Sequence, residues 1–247
     1  MVDLSIVVPA YNEAERLPTT LAALREFLAD RPWKTEIIVV DDGSIDQTVA
    51  VVEAAAAQSA RPLRVVSLGI NRGKGAAVKC GVGLASGATI AFVDADLPYG
   101  FDAFDRAMRL LAEGADLVIG GRDLPGSSEV RGYTWTRWLP GKIYSVLVNA
   151  LAVDGIPDTQ CGFKAFRGEI ARELFTRLAL TRFAFDVELL TIAQCWGLSI
   201  RRIPVRFTHS DDSRLSLVRD SARMFRDLIE VNRRRARGAY DRRPPRV

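Results

Sequence analysis

The first 121 residues repeat one pattern five times: a short apolar run rich in β-branched residues, stopped by acids, glycine or proline. The runs are LSIVVPA (4–10), TEIIVVDDGS (35–44), LRVVSL (63–68), ATIAFVDAD (88–96) and ADLVIGG (115–121). Runs this short and this continuously apolar suit strands covered on both faces, as in parallel sheets. Between them, residues 13–29 (with Leu17, Leu21, Leu24, Phe27 and Leu28), 46–58, 73–85 and 101–113 read as helices. The alternation predicts the α/β class, a Rossmann-like, largely parallel sheet with helices on both faces. Ligands of such sheets lie beyond the carboxyl ends of the strands. Polar clusters gather there, at Pro9 to Glu13, Asp41 to Ser44, Asp94 to Asp96 and Gly120 to Asp123.

The second half is less regular. Residues 136–153 can form an apolar helix flanked by Trp135, Trp138 and Tyr144, and 156–166 form a loop running into a strand. Residues 186–196 look helical, 198–207 read as a strand interrupted by Pro204, and 217–231 outline an amphipathic helix. Without an internal repeat or linker, the chain reads as one domain, 1–232, with a basic, flexible tail at 233–247. That tail holds seven arginines against one acid, Asp241. It suits an anionic membrane surface or nucleic acid, and equally a solvated tail.

Composition narrows the chemistry. A chain of 247 residues that is 48% hydrophobic can build the core of one α/β domain. Its three cysteines lack CxxC spacing, which points to a reduced protein. The single histidine, His209, excludes two-histidine catalysis and histidine-rich zinc sites. No signal peptide and no transmembrane helix is expected.

Within ATIAFVDAD, Asp94 and Asp96 stand at i and i+2, which on an extended segment point the same way. Two adjacent carboxylates are costly unless a cation or donor neutralises them, and oxygen ligands on a loop suit Mg²⁺ or Mn²⁺. The competing reading is a turn acid or a cap for the next helix. Gly73-Lys74-Gly75 brings backbone N–H groups and an ammonium to a helix start, where anions are favoured. A glycine packing contact explains it equally well. With Asp41 and Asp42 as acceptors for a ribose or base, the set describes a nucleotide diphosphate site with a divalent ion.

Seven segments occur in a particular order: SIVVPAYNEAERLP, EIIVVDDGSIDQT, NRGKGAAV, FVDADLP, DTQCGFKAF, FDVELL and DDSRLSLVRDS. In this the chain resembles the family-2 glycosyltransferases of the GT-A fold, in the branch acting on dolichyl or polyprenyl phosphate. The resemblance spans residues 4–230. It implies that Pro9, Tyr11, Asn12, Glu13 and Asp42 line the nucleotide pocket, that Lys74 sits near the nucleotide, and that Asp94 and Asp96 bind metal and diphosphate. It places Gln160 and Lys164 at the sugar and acceptor, and Arg214 and Ser216 near phosphate. Arg122 follows Gly120-Gly121 where the family often has Gly-Ser-Arg.

The implied reaction is transfer of a hexose, with inversion, from a nucleotide-sugar donor (UDP-glucose favoured) to a polyprenyl or dolichyl phosphate, with Mg²⁺ or Mn²⁺ as cofactor. GDP-mannose and UDP-N-acetylhexosamine remain open as donors. Because a phosphate acceptor is already anionic near neutral pH, cations should hold it, with Arg122, Arg131, Lys164 and Arg214 as candidates. Asp186 is the base if the acceptor is a hydroxyl, or else an N-cap. Asp186 and Glu188 lie about 200° apart on a helix, so both should not face the site. His209 is either a phosphate contact or a surface residue. A peripheral position on the cytoplasmic side of a membrane is expected, held by lipid directly or through a membrane-protein partner, with homo-oligomerisation open and no nucleic acid bound. The rivals are an aspartate-nucleophile phosphatase and a noncatalytic nucleotide-sugar binding protein.

Overall fold

The computed structural model describes residues 1–97, 99–129, 153–207 and 217–241, the side chains of 217–224 excepted. Arg131, His209, Arg214, Ser216 and the expected helix at 136–153 lie outside the described residues, apart from Val153. The strands are β1 (Leu4–Ala10), β2 (Thr35–Asp41), β3 (Leu63–Ser67), β4 (Thr89–Phe92), β5 (Leu117–Gly121), β6 (Ser128–Glu129), β7 (Lys164–Arg167), β8 (Ile200–Pro204) and β9 (Arg206–Phe207). The helices are α1 (Leu17–Ala29), α2 (Thr48–Ala57), α3 (Lys74–Leu84), α4 (Asp102–Ala112), α5 (Gly168–Arg177), α6 (Phe185–Cys195) and α7 (Leu217–Ala236).

Seven strands form one sheet in the order β3-β2-β1-β4-β7-β5-β8, while β6 and β9 pair separately. Every residue of β1, β2, β4 and β5 is buried, which explains why these runs are apolar without alternation. The edge strands β3 and β8 are part exposed and turn Arg64 and Arg201 to solvent. Charged edges discourage pairing with another sheet. The sheet is parallel except for β7, which runs antiparallel to both β4 and β5. From β1 the chain builds outward to β2 and β3, then returns to β4 on the other side of β1. That reversal opens a crevice between the carboxyl ends of β1 and β4. Because β7 is reversed, its first residue comes to the same end, with Lys164 opposite Phe92 on one side and Ile119 on the other.

Two apolar cores cover the sheet. One packs α1, α2 and α4 against it, and the other packs α3, α5, α6 and α7. In the second, Phe92 of β4 meets Phe166, Phe175 and Phe185 at ring-centroid separations of 6.2, 6.4 and 5.8 Å. Each such pair adds about 0.5–1.5 kcal/mol beyond its burial. The ring cluster ties β4 and β7 to α5 and α6.

Two expectations change here. Helix α5 was not anticipated, although its buried residues Ile170, Ala171, Leu174 and Phe175 have helical spacing. The basic run expected to begin a flexible tail at residue 233 instead continues α7 to Ala236. Beyond the helix Tyr240 is buried, so the boundary at 232 falls inside an ordered element. Burial of Leu228 and Val231 anchors that helix on the domain.

Helix α3 lies so close to the sheet that a Cβ on Gly81 would overlap Val7 and stand 3.1 Å from Val40 Cγ2. Gly81→Ala is expected to lower stability by about 1–3 kcal/mol through overpacking, net of a helix-propensity gain of up to about 1 kcal/mol. A denaturation midpoint equal to or above that of the parent would show that Val7 yields freely.

Candidate functional site

The crevice floor begins where β4 ends. The Val93 amide still donates to the Val7 carbonyl at 3.0 Å, after which the chain turns, Leu97 N–H bonding to Asp94 O at 3.0 Å. Leu97 has φ 39°, in the left-handed region. Asp94 is half-buried, and Asp96 is exposed. A turn thus replaces the extended segment from which a shared direction was expected, while the Asp94 charge still acts on Asp96. Capping is also excluded, because α4 has Phe101 at its N-cap.

Asp94 Oδ1 forms an ion pair with Lys74 Nζ at 2.5 Å. Burial works to lower the Lys74 pKa, but attraction to Asp94 and Asp186 outweighs it and holds the ammonium above its ordinary value. Although Asp96 is part exposed, burial and then the nearby Asp94 charge push it up to about 6. Gly162 stands against the Asp94 carboxylate, and a Cβ there would collide with it. The Gly162 amide is held by the Tyr99 hydroxyl oxygen at 2.8 Å.

Beneath this layer Lys164 and Asp186 form a second ion pair, Nζ to Oδ1 2.7 Å, with side-chain exposures of only 1% and 4%. Lys164 also donates to the Cys161 carbonyl at 2.8 Å and lies 5.4 Å above the Phe92 ring. Burial raises the Asp186 pKa against the pull of Lys164 and Lys74. Lys164, expected at the acceptor, is thus an internal cation. Asp186 is not the N-cap of α6, a position held by Ala184, and its burial leaves it poorly placed as a base for an incoming hydroxyl.

On the β1–β2 side the expected pocket residues brace loops. Asn12 has φ 55°, its amide donates to Ser44 Oγ at 2.8 Å, and its Oδ1 accepts from the Ile45 amide at 2.9 Å. Glu13 N–H bonds to Thr48 Oγ1 at 2.8 Å, while its carboxylate pairs with Arg16 at 3.1 Å. Pro9 is buried in β1 and Tyr11 is exposed at the rim. Both oxygens of Asp42 accept backbone N–H groups, from Arg72 and Gly73, each at 2.8 Å. The anion at the start of α3 is therefore the protein's own carboxylate. The two glycines around Lys74 serve close packing: a Cβ on Gly73 would stand 2.7 Å from Arg182 Cγ, and one on Gly75 2.7 Å from Phe185 Cβ.

Arg122 is also redirected. Its Nε and Nη2 donate to the two oxygens of Asp158 at 2.8 and 2.7 Å, and its amide adds a third bond at 2.9 Å. Burial opposes both charges, yet pairing holds Asp158 below the ordinary carboxylate range and Arg122 above its own value. Gln160 is half-buried on the same loop. Sequence reasoning assigned no role to Asp158, Tyr99 or Gly162. Asp158 and Gly162 lie inside the quoted DTQCGFKAF, but their partners are distant in sequence and carry no local signal.

No group of three or more His, Cys, Asp or Glu side chains placed to hold a metal ion is present among the described residues. Asp94 and Asp96 alone still fit Mg²⁺ or Mn²⁺, which commonly take one or two carboxylates and complete their shell with substrate phosphate and water. Burial and then the nearby Asp94 charge disfavour the ionised Asp96 carboxyl, and a dication would offset both.

The model of the family described as glycosyl transferase family 2 matches residues 5–175. A dolichyl-phosphate beta-glucosyltransferase of Dictyostelium discoideum is 38% identical, covering 96% of this chain and 76% of that protein. The Drosophila melanogaster protein of that name is 39% identical, with 96% and 77% covered, and the Homo sapiens one 35%, with the same coverages. Among solved structures, mannosyl-3-phosphoglycerate synthase of Rubrobacter xylanophilus superposes with TM-score 0.71 at 20% identity, over 98% of this chain and 76% of that one. Glucosyl-3-phosphoglycerate synthase of Mycobacterium tuberculosis, in complex with Mn²⁺, UDP and glucosyl-3-phosphoglycerate, gives TM-score 0.66 at 22% identity, over 93% and 78%. These two show the shared fold.

Two measurements probe the site. Carboxyl NMR of the metal-free protein should give Asp96 a titration midpoint near 6. Its folded value then exceeds the unfolded one, so its contribution to stability is present at low pH and is lost as pH rises through about 6. A midpoint at the ordinary carboxylate value would remove the crowding inferred for it. For the buried pair, Lys164→Met and Asp186→Leu should each cost about 3–5 kcal/mol by stranding a charge, and the double substitution should recover most of it. Additive losses would show that the two side chains do not act as a pair.

Proposed function

Because the chain belongs to glycosyl transferase family 2 and has the GT-A fold, we propose that this glycosyltransferase moves glucose from UDP-glucose to a dolichyl or polyprenyl phosphate. The reading is carried by the near full-length similarity to dolichyl-phosphate beta-glucosyltransferases of a chain that presents Asp94, Asp96 and Lys74 at the β1–β4 crevice. A peripheral position on the cytoplasmic face of a membrane accords with a lipid acceptor. No helix among the described residues is long and apolar enough to cross one.

The chemistry follows from charge. Asp96, with Asp94, would hold a divalent cation, which when bound supplies Lewis-acid neutralisation of the departing diphosphate. Lys74 adds a fixed ammonium beside the same position, held charged by Asp94 and Asp186. An oxygen of the acceptor phosphate attacks the anomeric carbon from the face opposite UDP. The bond from that carbon to the diphosphate oxygen breaks, and its electron pair leaves with UDP, inverting the centre. The acceptor oxygen is already anionic, so no residue must remove a proton from it. The burial of Asp186 in its pair with Lys164 supports this reading over a hydroxyl acceptor.

Purified protein supplied with a short polyprenyl phosphate, divalent metal and one radiolabelled nucleotide sugar at a time should carry label into the lipid phase from UDP-glucose. Better transfer from GDP-mannose or a UDP-N-acetylhexosamine would reassign the donor, and label in no lipid acceptor would overturn the reading. Asp94→Asn and Asp96→Asn should each reduce kcat/KM by about 100-fold or more, since each removes charge stabilisation of the leaving group.

A further inference from the structure

Glu188 is a buried carboxylate that the proposed reaction does not use. It sits on α6 two residues after Asp186 and faces away from it, as their angular separation of about 200° requires. Its Oε2 accepts the backbone N–H groups of Ala179 and Leu180 at 2.9 and 2.8 Å. Its Oε1 accepts the Tyr240 hydroxyl at 2.9 Å. Tyr240 lies in an arginine-rich segment yet is only 3% exposed, and its carbonyl accepts the Trp196 indole N–H at 2.8 Å. Burial, then Glu188 itself, holds the phenol above its ordinary pKa, so it remains a donor, and Arg234 of α7 faces the pair.

The amides that Glu188 holds begin the wall behind Lys74. The Thr181 carbonyl accepts the Ala76 N–H of α3 at 3.0 Å. Arg182 packs on Gly73, and Phe185 on Gly75. Residues 181–185 therefore press on both sides of Lys74; the segment is fixed at one end by the Glu188 carboxylate, through Ala179 and Leu180, and at the other by the start of α6 at the buried Phe185.

We propose that Glu188 and Tyr240 are positioning residues forming a clamp, which holds residues 179–183 against the start of α3 and so fixes Lys74 for the donor diphosphate. The segment after α7 thereby governs donor binding. The donor half of this statement rests on the function proposed above; the mechanical half does not.

The test compares the full chain with Tyr240→Phe, Glu188→Gln and Glu188→Ala. Amide hydrogen exchange at Ala179, Leu180 and Ala76 should quicken by about tenfold in Glu188→Ala and by less in Tyr240→Phe, as lost hydrogen bonds to a charged acceptor predict. Glu188→Gln, which keeps an acceptor oxygen, should restore part of the protection. Acylation of Lys74, read by mass spectrometry, should accelerate in the same order, and kcat/KM for UDP-glucose should fall in that order, with both a higher KM and a lower kcat. Quickened loop exchange with unchanged Lys74 labelling, unchanged loop exchange, or exchange raised evenly over the whole sheet would each overturn the clamp. A parent protein that binds no UDP-glucose, while the variants still alter loop exchange and Lys74 labelling, would overturn the donor assignment and support the clamp. Should Glu188→Ala fail to fold, Tyr240→Phe keeps the ring and the same readouts.

Discussion

Lys164 and Asp186 meet where neither reaches water, and the carboxyl end of the sheet is arranged around that contact. Lys164 opens the reversed strand β7, and Asp186 stands in the first turn of α6. Asp186 also acts on Lys74 at the start of α3, which pairs with Asp94 at the end of β4. Two cations and two anions thus alternate from the interior toward the crevice. Each buried charge is tolerable only because the next lies beside it. The order of the sheet makes the alternation feasible, since β7 is adjacent to β4 and runs against it.

Several polar groups at the crevice serve the scaffold before any ligand arrives. Asp42 takes two amide hydrogens at the start of α3, Glu13 answers Arg16, and Arg122 grips Asp158. The feature that looks most like a phosphate loop, Gly73-Lys74-Gly75, is shaped by contacts with Arg182 and Phe185. What it offers a ligand is the ammonium of Lys74 rather than a set of open amides.

The five apolar runs and the acids at their ends were legible because strand burial and helix periodicity are local. The family was legible from seven segments in order. The insertion of β7 between β4 and β5 was not, because strand order depends on pairing between distant segments. Lys164 looked like a surface cation for the same reason: nothing near it in sequence announces Asp186. Tyr240 was hidden by its neighbours, since an arginine-rich stretch reads as solvated whatever one ring within it does. Helix α5 is different, since its periodic signal in Ile170, Ala171, Leu174 and Phe175 is local and legible.

The three bonds between Arg122 and Asp158 span 36 positions of sequence and close the neck of everything between them. Once a neck is pinned, doubling the length of the excursion costs only about 0.6 kcal/mol of closure entropy. A change in the number of residues between 130 and 152 would therefore alter the cost of pinning these ends little, while β6, paired with β9, and Val153 and Ile156, buried in the core, tie the flanks of that stretch to the domain.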